Sequence, residues 1–347
     1  MAAQAGGAGQ DPRTVTLRTV AAHAGVSKSL VSRVLQGSPQ VSPAKREAVE
    51  RAIRELGYRP NASARSLTQR RTMAVGVIVA DLGQPWFAGM LEGLGTTLGE
   101  AGLHALIGDG RVDRLIDDRL VRAFIEMRVD GLVLAGAMPS SPVLAEAASR
   151  IPTVLAGSRD AVVPGVDVVV PDDVHGTTLA LEHLHELGHT RIAHVAGTAG
   201  SSVLGRRAAY ISWMSRHLLA PIVQPCDTTE IGGYAAARRL LDVAPGRRPT
   251  AIFAANDLAA LGVLGAARQL GFSVPQELSV VGYDNSSVAQ MHLTDLTTVD
   301  ADARELGRQA ADLLIERIAV PARPTRVEVL TTGLVVRTST ARAPVLE

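Results

Sequence analysis

The chain has 347 residues, 46% of them apolar, and a formal net charge of +1. That length and composition exclude a disordered polypeptide and provide core for two or three structural units. No apolar run reaches membrane-spanning length, Met1–Pro12 lacks the basic start and apolar centre of a signal peptide, and the single cysteine, Cys226, can complete neither an intrachain disulfide nor a metal set, so a reducing, cytoplasmic location is expected.

The charge is unevenly placed. Residues 1–71 hold twelve Lys/Arg against four Asp/Glu, a net of +8, and the remainder holds 23 against 30, a net of −7. A basic head on a mildly acidic body fits a polyanionic partner, because Lys and Arg gain affinity by displacing phosphate counterions. A solvated charged surface accounts for the charge equally well, so the local pattern has to decide.

In the head, Thr16 is placed to cap a helix through Leu17, Val20 and Ala21, and Gly25 to end it. Ser27 caps a second helix with Leu30, Val31 and Val34 at inward-facing spacing. A third begins at Ser42-Pro43, carries Val49, Ile53 and Leu56 on one face, and stops at Gly57. Two short helices about a glycine turn, closed by a third, read as helix-turn-helix. Lys28, Ser29, Ser32 and Arg33 then fall on the N-terminal and outer faces of the second helix, where a recognition helix meets base edges in the major groove. A helical hairpin with a polar face is the alternative. In "YRPNASARSLTQRR" a short helix capped by Asn61 places Ala64 and Leu67 on one side amid arginines. A leucine there suits a minor-groove wedge, or else an ordinary linker whose leucine packs on its own domain.

From Met73 the pattern changes to short β-branched runs between helical segments: "MAVGVIVA", "LHALIG", "DGLVLAG", "TVLAG", "RIAHVAG", "TAIFAAN" and "LSVVGYD". Such alternation predicts two groups of parallel strands covered by helices. Ligands of such folds bind beyond the carboxyl ends of the strands, which nominates residues 81–87, 197–207, 256–257 and 284–285. Residues 109–127 read as a surface helix with Leu115, Leu120 and Phe124 inward. His183, His185, His189 and His194 are split by Gly188 and by helical phase, so no metal site is expected. The glycines of "LEGLGTTLGEAG" lack the spacing of a dinucleotide loop, and no cofactor is expected. No nucleophile elbow, paired carboxylates or metal-ligand spacing points to an enzyme.

The segments "TLRTVAAHAGVSKSLVSRVLQG", "VSPAKREAVERAIRELGYRPNASARSL", "VGVIVADLGQPWFAGMLEGL", "RVDGLVLAG", "LEHLHELGHTRIAHVAG" and "AIFAANDLAALGVLGAARQLGFSVPQELSVVGYDN" together resemble the lactose repressor and galactose repressor (LacI/GalR) family of bacterial transcription regulators, over nearly everything after Pro12. The resemblance implies an N-terminal all-α helix-turn-helix head and an α/β periplasmic-binding-protein-like body of two parallel-sheet subdomains. It implies a disordered segment 1–13, a DNA-binding domain 14–60, a hinge helix and linker 61–72, an effector-binding and dimerisation domain 73–340, and a tail 341–347. The N-subdomain would take about 73–170 and 301–324, and the C-subdomain about 171–298 and 325–340.

By that similarity Thr16, Lys28, Ser29, Ser32 and Arg33 contact operator DNA, while Asn61, Ala64 and Leu67 form the hinge helix in the minor groove. Leu30 stands where the family usually has a small hydroxyl residue. In the body Gln84, Trp86, Phe87, Arg207, Asn256 and Asp284 match the effector-binding positions, Gln84 replacing the common Asn. Trp86 and Phe87 can alternatively be core, and Asp257 and Asn285 are expected to cap the helices that follow. The function implied is a repressor that binds an inverted-repeat operator as a homodimer, near the nucleoid, under control of a small-molecule effector, a sugar in the first instance. A solute receptor without a DNA role and a corepressor-dependent regulator sensing a nucleobase or other metabolite are the alternatives.

Overall fold

The computed structural model describes residues 15–35, 37–58, 71–110, 116–138, 140–160 and 163–344. Contacts divide the chain into two units, Met1–Thr72 and Met73–Glu347. Asn61, Ala64, Leu67 and Leu115 lie outside the described residues.

The first unit holds α1 (Leu17–His23), α2 (Lys28–Leu35) and α3 (Pro43–Leu56). Thr16 caps α1 reciprocally with Thr19: its hydroxyl accepts from Thr19 N, and Thr19 Oγ1 accepts from Thr16 N at 2.9 Å. The helix closes where Gly25 N donates to Ala22 O and Val26 N to Ala21 O, a turn that needs the positive φ of 65° at Gly25. Ser27 Oγ accepts from Leu30 N at 3.2 Å and starts α2. Ser42 stands at the N-cap of α3 without making the side-chain bond, so Pro43, preset for the first helical turn, carries that start. Val20, Val31 and Val49 are fully buried at the centre, with Leu30 and Ile53 packed partly against them. Each such valine contributes on the order of 1.5–3 kcal/mol by leaving water.

The second unit contains two six-stranded sheets. The first is built from β1 (Ala74–Val79), α4 (Trp86–Glu100), β2 (His104–Asp109), α5 (Ile116–Met127), β3 (Gly131–Ala135), α6 (Pro142–Arg150), β4 (Thr153–Ala156) and β5 (Asp167–Pro171). The second follows with α7 (Asp173–Glu186), β6 (Ile192–Gly197), α8 (Ser201–Arg216), β7 (Ile222–Cys226), α9 (Glu230–Leu241), β8 (Ala251–Ala254), α10 (Asp257–Gln269), β9 (Ser279–Tyr283) and β10 (Thr297–Asp300). The chain then returns through α11 (Ala303–Ala319) and β11 (Val327–Leu330) and ends the second sheet with β12 (Gly333–Val335). Strand orders are β11-β5-β4-β3-β1-β2 and β12-β10-β9-β8-β6-β7, all pairs parallel except β10 with β12. The chain crosses between sheets after β5, after β10 and after β11. β1 and β3 are buried almost throughout, as strands covered on both faces must be.

One boundary differs from expectation. The family resemblance places residues 325–330 in the C-subdomain, whereas β11 pairs with β5 in the first sheet, so the last crossing follows Leu330. The cause is a buried ion cluster. Asp167, fully buried at the start of β5, accepts from Arg317 Nε at 2.6 Å, from Arg323 Nη2 at 2.7 Å and from Arg326 N at 2.8 Å. Burial pushes its carboxyl up, but the Arg317 and Arg323 guanidiniums and the Arg326 amide outweigh that and hold it below the usual range. The segment 317–326 is thereby pinned beside β5 before β11 begins.

Glycines set the helix spacing. A Cβ at Gly93 of α4 would strike the Arg304 carbonyl of α11, and one at Gly307 the Met90 carbonyl, so these two helices touch backbone to backbone. Gly233 of α9 and Gly262 of α10 make the equivalent contact under the second sheet.

Candidate functional site

The loops after the strands converge on a cavity of about 250 Å³ between the two sheets. From the first sheet, the β1–α4 turn supplies Asp81, Gln84, Trp86 and Phe87. The two rings meet edge to face with centroids 5.1 Å apart. They sit on glycines: a Cβ at Gly157, after β4, would lie 2.7 Å from Trp86, and one at Gly136, after β3, 2.7 Å from Phe87. Both glycines hold positive φ, 77° and 86°, so backbone turn and ring space ask for the same residue.

From the second sheet come Asn256, Asp284, Asp227 and, on α8, Arg206. Asn256 caps α10 with its carbonyl oxygen, which accepts from Ala259 N at 2.9 Å, and this aims its amide across the cavity. Asn256 Nδ2 donates to Gln84 Oε1 and to Thr228 O, both at 3.0 Å. A second bridge lies at Asp160, whose Oδ1 accepts from Ser201 N at 2.7 Å, while Ser202 Oγ donates to Gly157 O at 3.0 Å. The two halves are thus joined by hydrogen bonds at two points of the cleft.

Arg206 organises the charged wall. Its Nε donates to Asp173 Oδ1 at 2.8 Å, its Nη1 donates to Ala255 O at 2.6 Å, and its guanidinium lies 3.5 Å from the centroid of the Tyr283 ring. Burial works against its charge, but Asp173, Tyr283 and Asp284 outweigh it and the guanidinium stays firmly protonated. Asp284, at the end of β9 with φ of 111°, has Oδ1 3.8 Å from Arg206 Nη1. Burial pushes its carboxyl well up; Arg206 opposes the rise, and Asp257 and Asp173 add to it. Beneath this wall His194 stacks on Phe253 at 4.8 Å and bonds its carbonyl through Nδ1. Burial holds that imidazole down at about 4, hence neutral.

The cavity therefore gathers Gln84, Trp86, Phe87, Asn256 and Asp284 of the expected set. It does not gather Arg207, which is half-buried outside the lining; Arg206 takes the place expected of it. The reason is helical phase. Ala209, Tyr210 and Trp213 mark the buried face of α8, and Arg206 falls on it while Arg207 is turned about 100° away. Ser202 lies within the nominated stretch 197–207 without having been singled out, and Asp160 and Asp227 escaped sequence reasoning. Ser202 precedes Arg206 by four residues, a signal that could have found it; Asp160 and Asp227 sit on turns without a pattern.

Two expected helix caps are otherwise employed. Asp257 binds Ser286 N, Ser286 Oγ and Thr298 Oγ1 at 2.6–2.8 Å, and burial lifts its carboxyl to about 6. Asn285 donates to Asp300 and accepts from Arg337 Nη2. The histidines are internal ties. His189 bonds Thr250, Ser279 and the Ala341 carbonyl, and His183 bonds Thr340. Among the described residues no three His, Cys, Asp or Glu converge to hold a metal.

In the first unit, Lys28, Ser29 and Arg33 are exposed on α2 and Ser32 is half-buried. Thr16 is exposed with its hydroxyl committed to the α1 cap. No described helix is long and apolar enough to cross a membrane.

Residues 16–61 match the bacterial regulatory proteins of the lacI family, and residues 181–340 match the periplasmic binding protein-like domain. The HTH-type transcriptional regulator CelR of Thermobifida fusca is 40% identical over 343 residues, covering 94% of this chain and 98% of CelR. Among solved structures, a transcriptional regulator CelR–cellobiose complex aligns with a TM-score of 0.71 at 37% identity, covering 94% of this chain and all of that one. The lac repressor dimer bound to operator and the anti-inducer ONPF aligns with a TM-score of 0.84 at 29% identity, covering 94% and 99%.

Proposed function

The chain belongs to the lacI family of bacterial regulatory proteins and is a DNA-binding transcriptional regulator, and from that premise we propose that it is a cytoplasmic repressor which binds an inverted-repeat operator as a homodimer and answers to a neutral sugar. Lys28, Ser29, Ser32 and Arg33 of α2 read the major groove, with Thr16 at the helix start. Asn61, Ala64 and Leu67 enter the minor groove. Gln84, Trp86, Phe87, Arg206, Asn256 and Asp284 hold the effector.

The observation that carries the effector class is the charge of the cleft. Among the described residues three carboxylates, Asp81, Asp160 and Asp227, line it together with the Asp284 carboxyl, which burial pushes towards its neutral form, against one guanidinium that is already paired with Asp173. Carboxylates and amides accept from and donate to ring hydroxyls, and an indole covers the apolar face of a sugar ring. A phosphate would meet the wrong sign of field. The similarity to a regulator in complex with cellobiose supports the same reading.

An effector that prefers one closure of the cleft shifts the DNA-binding equilibrium, and a coupling of about 1–3 kcal/mol suffices for control. The test is thermal unfolding of the purified chain against neutral sugars, sugar phosphates and nucleobases, followed by operator selection from random duplexes with and without each hit. A neutral sugar that raises Tm and changes DNA retention is the expected result. Stabilisation by sugar phosphates or nucleobases alone would overturn the assignment.

A further inference from the structure

The side-chain amide of Asn256 is fully employed by the protein itself. Its Oδ1 accepts from Ala259 N at 2.9 Å, and its two amide hydrogens go to Gln84 Oε1 and Thr228 O, both at 3.0 Å. Asn256 is buried, and no hydrogen is left for another acceptor. Gln84 closes a triangle, because its Nε2 donates to the same Thr228 carbonyl at 3.4 Å. Gln84 stands in the β1–α4 turn of the first sheet, Thr228 and Asn256 follow strands of the second, and two of the three bonds therefore cross the cleft.

Both ends of the bridge are held in place. Gln84 N donates to Asp81 O at 3.1 Å, Phe87 N donates to Gln84 O at 3.2 Å, and Gly83 N donates to Asp81 Oδ1 at 2.7 Å, so the turn fixes where the Gln84 side chain leaves. On the other side Thr228 has a φ of 63°, a left-handed conformation that β-branched residues rarely adopt, and its N donates to Cys226 Sγ at 3.4 Å. Such strain persists where the surroundings over-determine it, and here the strained residue supplies the acceptor that both amides share. Side-chain length decides the bridge. Asparagine at position 84, one methylene or about 1.5 Å shorter, would leave the 3.0 Å bond to Asn256 unmade.

We infer that Gln84 and Asn256 form a latch that holds the two lobes of the cleft together, an autoinhibitory contact that an incoming effector has to break. A hydroxyl oxygen reaches an Asn256 hydrogen only by displacing Gln84 or the Thr228 carbonyl, and it must replace the bond it removes, since a buried amide left unpaired is costly. The latch stands on the protein's own bonds; its regulatory consequence rests on the effector reading of the cleft.

Acrylamide quenching of tryptophan fluorescence tests the latch on the full chain with no sugar added. The chain has two tryptophans: Trp213 is 1% exposed and out of reach of the quencher, whereas Trp86 is half-buried and lines the cleft with Gln84. Gln84→Asn breaks the latch from one lobe and Asn256→Ser from the other, serine keeping the cap of α10. Each should raise the quenching constant at least 1.5-fold with cooperative melting retained, and the double variant should go no further than either single one. Quenching unchanged in both, or a rise confined to one of them, overturns the latch. Titration calorimetry of the same proteins with glucose, galactose and cellobiose reads the consequence. A sugar bound by the parent should bind Gln84→Asn at least threefold tighter, and equal or weaker binding overturns the autoinhibitory role. No heat from any of the proteins, with quenching raised in both variants, overturns the effector reading and leaves the latch intact.

Discussion

The two walls of the cleft are made differently. The wall from the first sheet is aromatic and rests on glycine: Trp86 over Gly157, Phe87 over Gly136. The wall from the second sheet is ionic and rests on other side chains: Arg206 on Asp173 and Tyr283, Asn256 on the first turn of α10. Shape is therefore set on one side by what the backbone omits, and polarity on the other by how charges are paired. A fault in the first should misplace a ring; a fault in the second should strand a charge.

The largest effect is expected on the ionic side. Arg206→Ala leaves Asp173 and Asp284 without their buried cation, a loss of the order of 3–5 kcal/mol. Effector affinity should fall at least a hundredfold, with Arg207→Ala changing it less than twofold. Thermal unfolding and calorimetry on the pair decide this, and equal losses would reject the assignment of Arg206. Next comes Gly157→Ala, which combines a methyl against the indole with an unfavourable positive φ costing about 1–2 kcal/mol. It should weaken the effector roughly tenfold while DNA affinity without effector is kept.

Asp284→Asn should weaken the effector by several-fold and leave effector-free DNA affinity unchanged, as read by gel shift. A smaller effect lies beneath the ionic wall. His194, held at about 4, contributes stability that is lost as pH falls from 6.5 towards 4. Asp257, lifted to about 6, contributes in the opposite sense, its share lost as pH rises from 3.8 through 6. The two largely offset each other between pH 4 and 6. His194→Gln should make Tm fall with rising pH in that window, and Asp257→Asn should make it rise; parallel profiles for both variants and the parent would remove the argument.

How much of this was legible in the sequence varied with the range of the forces involved. The head was readable because caps, glycine stops and a three-residue valine core are local signals. The strands β1, β3 and β8 were readable as uninterrupted apolar runs, and β6 as one broken only by His194. β7 was not, since Pro225 interrupts it, and a proline is tolerated there because β7 is an edge strand. β11, "VEVL", is short and alternating, and its sheet is decided by Asp167, some 160 residues earlier in the chain. In the site, residues next to strand ends could be named in advance. Arg206 required the phase of α8, which one arginine beside another conceals until the buried face is known.

The backbone contact between α4 and α11 has a mechanical meaning. Trp86 opens α4 at the cleft, and α11 starts just after a crossing between the sheets. With Gly93 and Gly307 seated against the facing carbonyls, neither helix has side-chain cushioning at that point through which to slide. The pair works as a stiff lever: α4, with its 15 residues, is about 22 Å long, so each degree of tilt at the cleft moves its far end by about 0.4 Å. Under the proposed effector reading, a ring seated on Trp86 would thereby be geared to displacements well outside its own reach.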